Sequence, residues 1–122
     1  MGYTTKVSET GDYILITVHG KVNSEIAMQY TVESHKLGKE KGILKFLVDL
    51  RNARNTETIV DNYNFVIKDL PENQTIDRKA KVVLLVSKED HSHDFVETVS
   101  RNRGFNVTLF RDKDEAISYL MA

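Results

Sequence analysis

The stretch Ile43-Leu44-Lys45-Phe46-Leu47-Val48-Asp49-Leu50 decides the fold. Six of its eight residues are apolar, and they do not alternate with polar ones. A strand with one wet face alternates, whereas a strand covered on both faces does not, so this run reads as a central parallel strand. A second run of the same kind, Lys81-Val82-Val83-Leu84-Leu85-Val86-Ser87, lies farther along the chain.

Working outward from the first run, Gly42 sits where a helix needs a left-handed stop. The helix it closes starts at Asn23 or Ser24 and runs to about Glu40, with Ile26, Ala27, Tyr30 and Leu37 facing inward and Ser34 between them. Before it, Tyr13 to His19 alternate as a strand that Gly20 ends. Glu9-Thr10-Gly11-Asp12 is a hairpin turn, and residues 3–8 make an edge strand. After the first run come a polar loop, Arg51 to Asn55, and a helix capped by Thr56 and stopped by Pro71. Its expected inward stripe is Ile59, Tyr63, Val66 and Leu70. Residues 72–80 read as a polar loop. A third helix begins at Asp90 or Ser92, buries Phe95, Val96 and Val99, and ends at Gly104. Phe105, Val107 and Leu109 alternate as a last strand. Asp112 caps a last helix that turns Ala116, Ile117 and Leu120 inward.

The order is β-β-α-β-α-β-α-β-α. A hairpin followed by repeated βα units gives an α/β fold with a five-stranded mixed sheet. The N-terminal strand is antiparallel, the rest are parallel, and four helices cover the sheet. With 122 residues, one Pro and six Gly, the chain has no room for a linker, and residues 1–122 read as one domain.

Composition narrows the function. Seventeen basic residues against eighteen acidic ones give a net charge of −1, so no overall field draws the chain to nucleic acid or an anionic membrane. Cysteine is absent, which excludes disulfides, thiolate chemistry and Cys-ligated metal, and suits a reducing cytosol. No apolar run of membrane-spanning length and no secretory leader is visible, so the expected location is cytoplasmic.

In open α/β sheets, ligands gather beyond the carboxyl ends of the strands. Asp49, Arg51, Asn55, Ser87, Asp90 and His91 fall there and form the candidate binding surface. Asp49 does not read as a receiver-type phosphoacceptor. The neighbouring strand ends in His19-Gly20-Lys21, without the acids that hold Mg²⁺, and the later strand ends in Phe110-Arg111, without a lysine. Instead Asp49 is expected to cap the 51–55 loop by accepting backbone N–H bonds. His91-Ser92-His93-Asp94 offers at most the pair His91 and Asp94 on one helix face, too few ligands for a closed zinc site. No glycine-rich phosphate loop and no G-x-S-x-G elbow is present, so neither a cofactor nor a metal is expected. No pair of groups separates into acid and base, so the chain is read as non-enzymatic.

Thr56-Glu57-Thr58 opens the second helix, where a phosphate would meet the positive end of the helix dipole and add about two negative charges. On the same helix, Val60, Phe65 and Ile67 widen the apolar stripe beyond one face and are expected to form a homodimer contact.

The segment Phe46-Leu47-Val48-Asp49-Leu50 through Thr56-Glu57-Thr58 resembles the core of STAS domains, the fold of bacterial anti-sigma-factor antagonists. In that family, Asp-Leu at a strand end is followed by Asp-Ser at a helix start, and the Ser is phosphorylated by an anti-sigma kinase. The tail Val107-Thr108-Leu109-Phe110 … Glu115-Ala116-Ile117-Ser118-Tyr119-Leu120 is similar to the SpoIIAA-like, or STAS/Sec14-like, branch. So are Ile16 to Val22 and Arg78 to Val83. The resemblance implies a regulatory or protein-interaction domain with a protein partner. Because Glu57-Thr58 stands at the Asp-Ser position, it also implies a degenerate phosphoswitch. The alternative it implies is a carrier or sensor holding a small apolar or lipid-like ligand between helices and sheet.

Overall fold

The apolar run becomes β3, Lys45–Asn55, the middle strand of a five-stranded sheet. A computed structural model describes residues 2–72 and 75–122, apart from the side chains of Ile59 and Glu72. Around β3 lie β1 (Tyr3–Val7), β2 (Ile14–Val22), β4 (Lys81–Leu85) and β5 (Asn106–Phe110). They stand in the order β1-β2-β3-β4-β5, with β1 antiparallel and the others parallel.

That order runs from β2 to β5 without reversal. Right-handed crossovers must then place every connecting helix on one face. Helices α1 (Ser24–Lys41), α2 (residues 59–72) and α3 (Asp94–Asn102) do cover one face, and among the described residues only the trailing α4 (Lys113–Met121) covers the other. Ile14, Ile16, Val18, Phe46, Val48 and Leu50 point to the three-helix side. Leu47, Val83 and Leu85 point to Ala116 and Leu120 of α4.

The helix boundaries follow local chemistry. The Asn23 side chain accepts the Ile26 N–H at 2.9 Å, and Gly42 takes the left-handed φ of 70° that closes α1. The Asp112 side chain accepts the Glu115 N–H at the start of α4.

The third helix starts at Asp94 after His93 and not at Asp90 or Ser92, and three expectations around the end of β3 and α2 need correction. Residues 51–55 are not a loop but the last part of β3, paired with His19–Val22 of a β2 that runs on past Gly20. The pairing shifts by one residue between Thr17/Asp49 and His19/Asn52, so β3 carries a bulge there. Asp49 serves that bulge, accepting the Arg51 N–H at 3.1 Å. The second correction is the cap of α2, which is Thr58 and not Thr56. Thr56 still belongs to the sheet side, giving both its N–H (2.9 Å) and its hydroxyl (3.2 Å) to the Val22 carbonyl.

Third, Pro71 does not stop α2. The helix runs Ile59–Asn64, widens into a π turn at Phe65–Asp69 and closes with Leu70–Glu72. Proline lacks an N–H and crowds the carbonyl four residues back in a regular helix. Here the turn before it is already wide, with the Leu70 N–H reaching the Phe65 carbonyl five residues away. In the 72–80 segment, residues 73 and 74 lie outside the described residues.

Candidate functional site

The beginning of α2 is built from both sides. Glu57 takes no part in a loose loop: its Oε1 accepts the Ser24 N–H at 2.9 Å, and its own N–H goes to Asn55 Oδ1 at 2.9 Å. A carboxylate at the first residue of α1 also suits that helix's dipole. Thr58 is exposed, and its hydroxyl oxygen accepts the Asp61 N–H at 3.1 Å. Of the three candidate phosphoacceptor residues, Thr56 ties strands, Glu57 ties helices, and Thr58 caps α2 with its hydroxyl facing solvent.

Beyond the carboxyl ends of β3 and β4 lies a polar network that the sequence did not announce. The Asn55 N–H donates to Ser92 Oγ at 3.0 Å, and its side-chain amide donates to Asn62 Oδ1 at 3.0 Å. The Ser92 N–H donates to Asp90 Oδ1 at 2.8 Å. His93 is buried, with Nε2 at 3.3 Å from the Ala53 carbonyl and 3.5 Å from Asp90 Oδ2. Burial works to raise the Asp90 carboxyl, but the bonds from Ser92 and the charges of His93 and Arg54 outweigh it and hold it below the usual range. Burial pushes the His93 imidazole down, against the pull of Ala53, Asp90 and Asp94. Serine, histidine and aspartate thus stand within four residues, yet Ser92 Oγ is turned to Asn55. Among the described residues no Ser–His bond forms, as a nucleophile would need. The missed signal was Asn62, a polar residue placed three and four positions before Phe65 and Val66.

Asp49 and Arg51 do not join this network. Asp49 follows Leu47 on the face covered by α4, and Arg51 grips it with bonds of 2.9 and 2.7 Å. Burial alone would raise the Asp49 carboxyl, and the Arg51 bonds with the charges of Arg51 and Lys113 hold it below the usual range. His91 is exposed and pairs with Asp94 at 2.8 Å as the spacing allows, with Arg111 beside both. Ser87 accepts the Asp90 N–H through its carbonyl at 3.2 Å. The strand-end candidates therefore divide between the two faces of the sheet. No group of three or more metal-ligating side chains occurs among the described residues.

The π turn changes which residues of α2 face inward. Phe65, expected outside the main stripe, is buried with Val66 against Val99 and Phe105. Tyr63, expected inside, is 45% exposed. Val60 is 65% exposed, Ile67 is half-buried, and the Ile59 side chain lies outside the described residues. Phe65 therefore leaves the proposed dimer contact, because its own chain covers it.

Three partly enclosed cavities lie under and beside these helices. One of about 100 Å³ is lined by Tyr30, His35, Leu70, Ala80 and Val107, one of about 60 Å³ by Asn55, Asn62, Leu84 and His93, and one of about 270 Å³ by His35, Lys39, Ile43, Phe46 and Asp77. Outside them, an open groove of about 570 Å³ runs between α1 and α2 over Met28, Val32 and Phe65. Among the described residues, no helix is long and apolar enough to cross a membrane.

No family model matches the chain, and no curated protein matches it. Solved structures do. An uncharacterised protein of the DUF3478 family with a SpoIIAA-like fold, from Shewanella loihica PV-4, superposes with a TM-score of 0.51 at 18% identity. The match covers 97% of this chain and 91% of that one. The anti-sigma factor antagonist SpoIIAA in its unphosphorylated form superposes with a TM-score of 0.53 at 11% identity, covering 98% of each chain. The strand order, the antiparallel first strand and the helix cover agree with these likenesses: the chain has a SpoIIAA-like, STAS-type fold.

Proposed function

We propose that this chain is a non-enzymatic interaction domain whose contact surface is the start of α2, and that Thr58 keeps its hydroxyl as a helix cap and not as a phosphate acceptor. The observation that carries this reading is the exposure of Val60 and Tyr63 beside an exposed Thr58. Apolar and aromatic side chains held on a rigid helix face suit a protein partner. The bond that the Thr58 hydroxyl oxygen already accepts from the Asp61 N–H supports the cap role. A carrier needs an interior pocket of roughly 300 Å³ or more. The partly enclosed cavities of about 270, 100 and 60 Å³ all fall below that, which favours the interaction reading over that one.

The test is to purify the chain from its own host and weigh it intact and natively. A stoichiometric protein partner that is lost with Val60→Asp, on a chain carrying no phosphate, is the expected result. A phosphate on Thr58, or a partner held equally by Val60→Asp, would overturn the reading.

A further inference from the structure

The groove between α1 and α2 has an apolar floor and an acidic rim. Met28, Val32 and Phe65 line it, together with Glu25, Glu33 and Asp69, and no lysine or arginine does. A more polar trough continues it past Ser24 and Asp69 and adds Glu57, Asp61 and one base, Lys68. The continuous surface thus holds five carboxylates and one ammonium, a local charge of −4 on a chain whose net charge is −1. Gln29 lines the same groove, and its Oε1 is buried with no donor among the described residues.

From Glu25 to Glu33 the groove follows α1 for two turns, about 12 Å at 1.5 Å per residue. That length and shape match two turns of a guest helix laid with its apolar side down. We infer that the groove between α1 and α2 docks a cationic amphipathic helix of a partner protein. Its apolar side covers Met28 and Val32, and its lysines or arginines reach Glu25, Glu33 and Asp69. This rests on the interaction reading above, but names a different face of α2 and the chemistry of the guest.

The probe is a labelled helical peptide of Leu and Lys, about 15 residues long so that it can hold a helix, titrated into the intact chain. Its controls are a shuffled peptide of the same composition and a Leu/Glu counterpart. Saturable one-to-one binding is expected, weakened at least about tenfold by Glu25→Lys with Asp69→Lys, both exposed, and by Val32→Arg. The charge-reversed variant should then accept the Leu/Glu peptide. Circular dichroism confirms that each variant is folded. Equal binding of the shuffled peptide, or binding unmoved by either variant, would overturn the inference. So would self-association that the same variants abolish without peptide, which would make the occupant a second copy. Val60→Asp is run alongside. If it loses the native partner while the peptide still binds, both readings stand, and if only one of the two responses appears, the failing surface is identified.

Discussion

The His35 ring lies flat on Phe46, with centroids 4.4 Å apart and planes 11° from parallel. The histidine is buried, and its Nδ1 accepts the Asp77 N–H at 3.3 Å. Burial lowers its pKa from 6.5 to about 4, against the opposing charge of Asp77. Between those values the unfolded chain binds a proton that the folded chain refuses. The stability this histidine contributes is therefore whole above pH 6.5 and is lost as pH falls towards 4. The loss amounts to roughly 3 kcal/mol. His93 is lowered too and adds in the same sense. Urea denaturation at pH 7 and pH 4.5 checks this, and His35→Leu should show a distinctly smaller difference than the native chain.

Thr58 gives a second prediction. Its side chain is the bond that caps α2. Thr58→Ala should cost about 1 kcal/mol, and Thr58→Ser should cost much less, because serine caps at least as well. Thermal melts read both. Equal melting of the alanine variant and the native chain would show that the cap contributes nothing.

Phe65 belongs to the core despite its place in the sequence. It is 7% exposed and packs with Val66, Val99 and Phe105. Phe65→Ala should lose about 3–5 kcal/mol from transfer and cavity together. Phe65→Leu should lose less, and an unchanged denaturation midpoint for Phe65→Ala would contradict the packing described.

Gly38 is a helix position where alanine should not help. In an open helix, Gly to Ala gains about 1 kcal/mol. A Cβ here would stand 2.6 Å from the Ile43 carbonyl and 2.9 Å from Phe46. A backbone oxygen cannot step aside as a flexible side chain can, so the clash outweighs the propensity. Gly38→Ala should destabilise by about 1–3 kcal/mol, measured by the same denaturation.

The sheet was legible because its signal is local and strong. Two apolar runs without alternation sit where β3 and β4 stand, and the caps at Asn23, Gly42 and Asp112 can be read residue by residue. The far half of β3 was not legible. Arg51, Asn52 and Arg54 are exposed, so burial left no mark on them, and only pairing with β2 makes them a strand. The polar network failed to show for another reason: Asn55, Asn62, Ser92 and His93 meet through tertiary contacts between residues up to 40 positions apart. The stripe of α2 misled because a 3.6-residue period was carried through a turn that does not keep it.

That wide turn at Phe65–Asp69 has a consequence for chain length. Each residue of a regular helix advances the direction of its neighbours by about 100°. One residue deleted from this turn would restore a regular helix and rotate its first half against its second by that angle. Val60 and Tyr63 would swing away from their present bearing, and Asn62 would leave Asn55. Two chains with this same sheet, differing by a single deletion here, would present different side chains to the outside. The identity of this surface is held by a count of residues as much as by their kinds.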